Sequence, residues 1–580
     1  MSVLERIEAD EGLAEIEPGK RLICVGSDHG ASLSERLSYR LHRMSWKTPL
    51  HSFRLRGRFP VKLLSVPKDP VAGNKVRGEA ILKGRLCFGE ECFPLRTLDF
   101  NDPALSQRCS DYLQSFAWLR DLAAAANRDK AFPIAERLTR NWLQAYGNEF
   151  SERAWRPDLW GLRILFWTAY SPYILQSKDL VHRSSILNTL ARGARHLDKT
   201  ADKAAAGLPR IAAWSGVIAS ALVVQGVPGR LARGESGLIR ALAATLHDDG
   251  GIVSRSPLEQ LVLVELLSQL RAVYIAGRRE LPQAAAEALS GSVAALLAVT
   301  MGDEALGNWQ GGNMLSRRRV AAAIEGSGVR ARPLRQARGW GYHRLDARGS
   351  VVVFDAAPPP ASRTLTGGCA STLAFEFSDG EERLIVNCGG VGWAKTDLPP
   401  ELLQALRTTA AHSTLTLGDR NSTAIHTDGT LGKGVGQVEL SREDIGGGAS
   451  VEGVHDGYVR RFGLLHRRQL TLSAEGRELR GEDSLVSAGR RRRAGPLAFA
   501  IRFHLAPSVE VTTTADGSGA LLRIRGGPAW QFRCQGGMLS IEDSLWIDGS
   551  ARPNGSLQLV IGGETPADGM TVSWRLRRAI

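Results

Sequence analysis

The repeat of apolar residues along this chain changes once, near residue 330, and that change limits the fold more than any other feature. Before it, from about 105 to 325, apolar positions recur at the spacing of helical faces. Amphipathic segments are expected over roughly 106–126, 130–146, 158–176, 183–200, 208–224, 229–247, 257–277 and 282–301. Turns such as Gly226-Val-Pro-Gly229 and Asp248-Asp-Gly-Gly251 separate them. Units repeating every ~20–25 residues make antiparallel helical hairpins, as in a bundle or an α/α toroid. Arg330-Ala-Arg-Pro-Leu-Arg-Gln-Ala-Arg-Gly339 reads as a linker. Beyond it come short strands between Gly and Asp turns, among them Ser350-Val-Val-Val-Phe-Asp355, Gly436-Gln-Val-Glu-Leu440, Ala498-Phe-Ala-Ile-Arg-Phe-His504 and Ser556-Leu-Gln-Leu-Val-Ile561. That pattern predicts a large antiparallel sandwich. The division expected is a basic N-terminal segment with short strands over 1–104 (Lys75–Gly89 being one strand-like piece), a helical domain over 105–328 and a β-sandwich over 329–580.

At 580 residues the chain exceeds one ordinary core. No run approaches ~20 apolar residues, so no membrane span is expected. The opening Met1–Glu11 is charged and lacks the apolar core of a secretory signal, which points to the cytoplasm. Seven cysteines (24, 87, 92, 109, 369, 388, 534) form neither a disulfide framework nor a zinc pattern. Cys87 and Cys92 sit in an apparent hairpin and are expected to be reduced core thiols, in keeping with a reducing compartment. A net charge of +14, with runs such as Arg490-Arg-Arg-Arg493, suits an anionic partner or simply a solvated basic surface. Nucleic acid is not favoured, for no helix-turn-helix, RNA-binding or zinc-finger signature occurs. A phosphate loop, a dinucleotide fingerprint and a Gly-x-Ser-x-Gly elbow are also missing.

Several segments carry a family resemblance together. They are Phe116-Ala-Trp-Leu-Arg-Asp-Leu122, Trp160-Gly-Leu-Arg163, Asp249-Gly-Gly-Ile-Val-Ser-Arg-Ser-Pro257 and Gly341-Tyr-His-Arg-Leu345. Further along are Phe375–Gly389, Arg407-Thr-Thr-Ala-Ala-His-Ser-Thr-Leu415, His455-Asp-Gly-Tyr458, Leu465-His-Arg-Arg468 and Arg502-Phe-His-Leu505. From about residue 80 to its end the chain resembles the heparinase II/III family of polysaccharide lyases. The resemblance implies an α/α toroid followed by a large antiparallel β-sandwich, with the active site in the cleft between them. It also implies β-elimination: a base removes the C5 proton of a uronate, a neutralised carboxylate acidifies that proton, and an acid protonates the leaving oxygen.

The usual parts in that family are an Asn or Arg, a His and a Tyr. Two positions after the 249–257 turn, where relatives carry the Tyr, this chain has Glu259, which suits a helix N-terminus. Where an Asn opens an earlier toroid helix, the chain reads Gly207-Leu-Pro-Arg-Ile211; Pro209 fits a helix start and Arg210 can neutralise a carboxylate. The His that precedes the Leu-x-Phe-Glu strand is replaced by Cys369, expected to be a buried inert thiol. Positions that bind zinc in some relatives correspond to Ser371, Asn387 and His412, one good ligand of three, so no metal and no cofactor are expected. The resulting assignment is His412, Arg255 and Tyr342 as catalytic residues, with Arg210, His343 and His455 binding an acidic polysaccharide. His455 and Tyr458 also read as turn residues that cap or pack, and His466 and His504 as sheet-face residues. A rival expectation is a catalytically silent carbohydrate-binding or scaffold protein on the same fold. Family members are commonly periplasmic or cell-envelope proteins, which gives the localisation an alternative.

Overall fold

The computed structural model describes residues 20–24, 62–224, 228–360, 367–392, 396–489, 495–524, 527–566 and 569–579. The charged opening Met1–Glu11, the first two residues of the Gly226–Gly229 turn and the run Arg490–Arg493 lie outside them.

Helices follow the predicted segments closely because their starts are encoded in side chains. Asn127 accepts from the backbone N–H of Lys130, Asp179 from those of Val181 and His182, and Ser256 from that of Glu259. The first predicted segment splits into Gln107–Ser115 and Trp118–Ala125, since Phe116 takes a left-handed φ of 67° between them. The helices Pro157–Ala169 and Leu208–Leu222 touch at Gly161, where a Cβ would stand 2.0 Å from the carbonyl oxygen of Ala212. Around that contact Trp142, Trp155, Trp160 and Trp167 form the toroid's aromatic core. Arg163 lies between two of them, 4.1 Å from the ring centre of Trp142 and 4.4 Å from that of Trp160.

Three expectations need correction. Lys75–Leu82 is a helix, not a strand: Asn74 caps it, and Gly78 brings it so close to Trp118–Ala125 that a Cβ would lie 2.0 Å from the carbonyl oxygen of Asp121. Cys87 and Cys92 are joined in a disulfide rather than reduced, because they face each other across the hairpin Arg85–Phe88/Glu91–Pro94 with Cα atoms 4.2 Å apart. A further helix, Arg317–Ser327, precedes the linker where no segment was predicted.

The β half contains two antiparallel sheets. One has nine strands in the order Arg21–Cys24, Gln437–Ile445, Gly448–His455, Leu464–Leu472, Glu478–Ser487, Gly569–Arg578, Ala529–Gln535, Gly519–Ile524 and Val509–Thr513. The other has eight: Met538–Ile547, Pro553–Thr565, Leu497–Leu505, Glu382–Val386, Phe375–Asp379, Ser350–Asp355 and Tyr342–Ala347 in order, with Leu415–Leu417 paired to Leu497–Leu505. The N-terminal strand Arg21–Cys24 therefore belongs to the sandwich, extending its first sheet beside Gln437–Ile445. Alternating inward residues meet between the sheets, where Phe375 stacks on Trp574 with ring centres 5.5 Å apart. The architecture is an α/α toroid followed by an antiparallel sandwich. No helix among the described residues is long and apolar enough to cross a membrane.

Candidate functional site

Two loops of the helical half reach across to the sandwich. Asp249 Oδ2 accepts from the backbone N–H groups of Gly339 (2.8 Å) and Trp340 (2.9 Å). Farther along, Asp303 pairs with Arg383 at 2.9 Å, and Asn313 Nδ2 donates to the carbonyls of Asp548 and Gly549. The predicted residues are distributed along and behind this seam.

His412 ends the single turn Thr409–Ala411 and leads into Leu415–Leu417. Its Nδ1 is 2.7 Å from the Thr408 carbonyl. A carbonyl only accepts, so the neutral ring carries its proton on Nδ1 and a lone pair on Nε2. The side chain is 2% exposed, and burial lowers its pKa, keeping the ring neutral near neutral pH. The next residue is clamped: Ser413 N–H donates to Asn387 Oδ1 at 2.9 Å, and its carbonyl accepts from Arg468 Nη1 at 2.7 Å. A fixed, neutral imidazole is one part of an elimination site. Asp355, the ion-pair partner of Arg255, acts on this ring electrostatically and opposes the lowering, but no hydrogen bond joins His412 to Arg255 or Tyr342 among the described residues.

Arg255, held at a left-handed φ of 56°, is 3% exposed and gives four hydrogen bonds to the sandwich. They go to the carbonyls of Trp340 (2.7 Å), Ala357 (3.3 Å) and Pro358 (2.9 Å) and to Asp355 Oδ1 (2.6 Å). Tyr342 lies beneath the guanidinium, and its hydroxyl donates to the Arg255 carbonyl at 2.9 Å. Burial raises the Tyr342 pKa far above the ordinary phenol value. These two side chains form a strut between the halves, and each is spent on protein partners. Asp355, wholly buried, also accepts from Ser371 Oγ at 2.7 Å; Ser371 in turn accepts from Gln310 Nε2 at 3.1 Å. Sequence reasoning passed over Asp355, although an acid ending the apolar run Val351-Val-Val-Phe354 is a signal that a buried cation awaits it.

The three positions that correspond to zinc ligands in relatives do not fit a metal. Ser371 serves Asp355, Asn387 Oδ1 serves Ser413, and the Nδ1 proton of His412 serves Thr408. No group of three metal-binding side chains occurs among the described residues. Glu376 stands where these elements meet. Its Oε1 accepts from the backbone N–H groups of Asn308 and Asn387, both at 3.1 Å, and burial raises its pKa. Cys369 is buried with its thiol pushed up to about 12, which leaves it protonated and unreactive.

The residues expected to bind substrate are placed differently. His343 is 0% exposed and pushed down to about 3 by burial. His455 lies between the two sheets in a polar relay: its Nε2 meets His466 Nδ1 at 3.2 Å, and His466 Nε2 meets Asp483 at 2.8 Å. Arg468 completes the relay, pairing with Asp483 at 2.8 Å and holding the Ser413 carbonyl. Tyr458 packs beside it and donates to the Leu415 carbonyl at 2.8 Å, as a packing role requires. Arg210 is half-buried and donates twice to the Ala204 carbonyl, tying its helix to the preceding turn.

Comparison with known proteins is consistent with this geometry. Residues 329–575 match the model of the heparinase II/III-like C-terminal domain. A curated protein of Caulobacter vibrioides, FtsZ-localized protein C, is 30% identical over 567 residues, spanning 91% of this chain and 92% of its own. The chain belongs to the heparinase II/III-like family. Among solved structures, a heparinase III superposes with a TM-score of 0.69 over 96% of this chain and 93% of its own at 13% identity. A heparan sulfate lyase mutant from Pedobacter heparinus gives 0.62 over 94% and 88% at 12% identity. At such identity the likeness to these two structures establishes a common fold.

Proposed function

We propose that this protein keeps the lyase fold but has given up β-elimination, and that it acts by binding, as a scaffold. The observation that carries this reading is how Arg255 and Tyr342 are spent: one on four sandwich acceptors, the other on the Arg255 carbonyl. With Glu259 where relatives carry a Tyr, and Arg255 and Tyr342 held by protein acceptors, neither assigned residue is left to serve His412 as acid or charge neutraliser. The name of the relative from Caulobacter vibrioides supports a role alongside FtsZ. Purified protein is therefore expected to co-sediment with FtsZ polymers and to leave uronate polysaccharides intact. Failure to co-sediment, together with an ultraviolet-absorbing unsaturated uronate product, would overturn the proposal.

A second reading, lyase action on an acidic polysaccharide with His412 as base, draws support from the lone pair at Nε2. A product that disappears in His412→Ala would establish it. As part of the scaffold reading we place the protein in the cytoplasm. The Cys87–Cys92 disulfide argues for an oxidising compartment instead. Alkylation in intact cells decides between them: both thiols label in the cytoplasm, and neither does in the cell envelope.

A further inference from the structure

The nine-stranded sheet turns a face of alternate residues outward, and its arginines gather in the half formed by the last strands. Register sets Arg480 opposite Arg575 and Arg575 opposite Arg533, so one row of guanidiniums crosses three neighbouring strands. The next row sets Arg577 between Glu478 and Gln531. Strands lie about 4.8 Å apart, and like charges directly opposite one another destabilise a sheet. Arg480 is partly offset by its ion pair with Glu478, and Arg533 by Asp516 at 2.7 Å. Arg575 and Arg577 are exposed and form no ion pair among the described residues. At one end the face deepens into a groove of about 740 Å³, with Ser473, Glu475, Arg477, Glu478, Arg577 and Arg578 in its wall.

We propose that this arginine face and its groove bind an acidic polypeptide segment, with Asp and Glu side chains spaced along an extended backbone. Three features select that partner. Guanidinium forks match carboxylates in planar, two-pronged pairs. The aromatic residues of these strands, Trp530, Phe532 and Trp574, are buried inward, so among the described residues the face has no platform for stacking sugars or bases. Glu475 in the wall of the groove, its charge not offset among the described residues as that of Glu478 is by Arg480, repels a uniformly charged polymer or lipid surface, and a ligand whose charges are separated avoids it. The inference deepens the scaffold reading by giving that scaffold a docking surface.

The test is fluorescence anisotropy of a labelled peptide of alternating Glu and Gly, titrated with the full-length protein. Binding is expected, weakening as salt rises because the charges are exposed. Arg575→Glu with Arg577→Glu should weaken it by at least about tenfold, since each charge-assisted bond contributes more than a neutral one. The Lys double variant should fall between, and Arg240→Glu, on a toroid helix, should bind as wild type. Thermal melting confirms that the exposed substitutions leave the fold intact. No peptide binding, binding unchanged by charge reversal, or tighter binding to heparin or phosphatidylglycerol vesicles than to the peptide would each overturn the proposal. Those results leave the scaffold reading standing, while discovery of lyase turnover removes the scaffold reading and leaves the peptide result as it is.

Discussion

Replacing Arg255 by Met should loosen the join between toroid and sandwich. Arg255 is 3% exposed and Asp355 0%, so removing the guanidinium leaves a buried carboxylate with Ser371 as its remaining partner. Breaking such a pair costs about 3–5 kcal/mol, and the carbonyls of Trp340, Ala357 and Pro358 lose a donor as well. Set against a total stability on the order of 5–15 kcal/mol, this is a large fraction, yet against the unfolding entropy of a 580-residue chain it lowers Tm by only about 2–4 °C, so denaturant is the better probe. The double variant Arg255→Met/Asp355→Leu removes both charges, and the principle that a buried pair is costly chiefly when half-broken predicts recovery of part of that loss. Urea denaturation of the four proteins, single, single, double and wild type, gives the coupling directly. Arg255→Met within about 1 kcal/mol of wild type would refute the strut, as would a double variant no more stable than Arg255→Met.

Two other predictions concern the sandwich and its histidines. Burial depresses the pKa of His343, His412, His455, His466 and His504, with His343 and His504 at about 3. The unfolded chain then binds more protons than the folded one, so stability is complete above an ordinary His pKa of about 6.5 and falls as pH drops below it. Each fully depressed ring contributes up to ~1.4 kcal/mol per pH unit, so the melting temperature should fall progressively from pH 7 to about pH 4; a flat profile would contradict the burial of these rings. Gly481→Ala should destabilise the sandwich by about 1–3 kcal/mol, because its Cβ would stand 2.0 Å from the Trp574 ring. A melting temperature equal to that of wild type would show that the ring moves aside freely.

Helix positions and the switch to strands were legible because each rests on local periodicity and caps, as at Asn127 and Asp179. The helix Lys75–Leu82 was not, because its apolar residues do not gather on one helical face and its Gly reads as a breaker; only the close approach to Asp121 explains Gly78. The strand Arg21–Cys24 pairs with Gln437–Ile445, hundreds of residues away, a contact that local pattern does not encode. For the site, the His412 motif was visible and its tautomer was not, for that depends on the Thr408 carbonyl. Arg255 and Tyr342 were recognisable as special residues, yet their roles are set by partners 85 to 103 positions along the chain. The buried relay through His455, His466, Asp483 and Arg468 alternates along strands as polar residues on an inward face, a pattern that can be read as an internal network once the register is known.

The measurement that bears most directly on a lyase fold without its chemistry is mass spectrometry of uronate polysaccharides after long incubation with the protein at equimolar concentration. Chains of unchanged length are expected from both wild type and His412→Ala. Shortened chains ending in an unsaturated uronate, formed by wild type and not by His412→Ala, would contradict it.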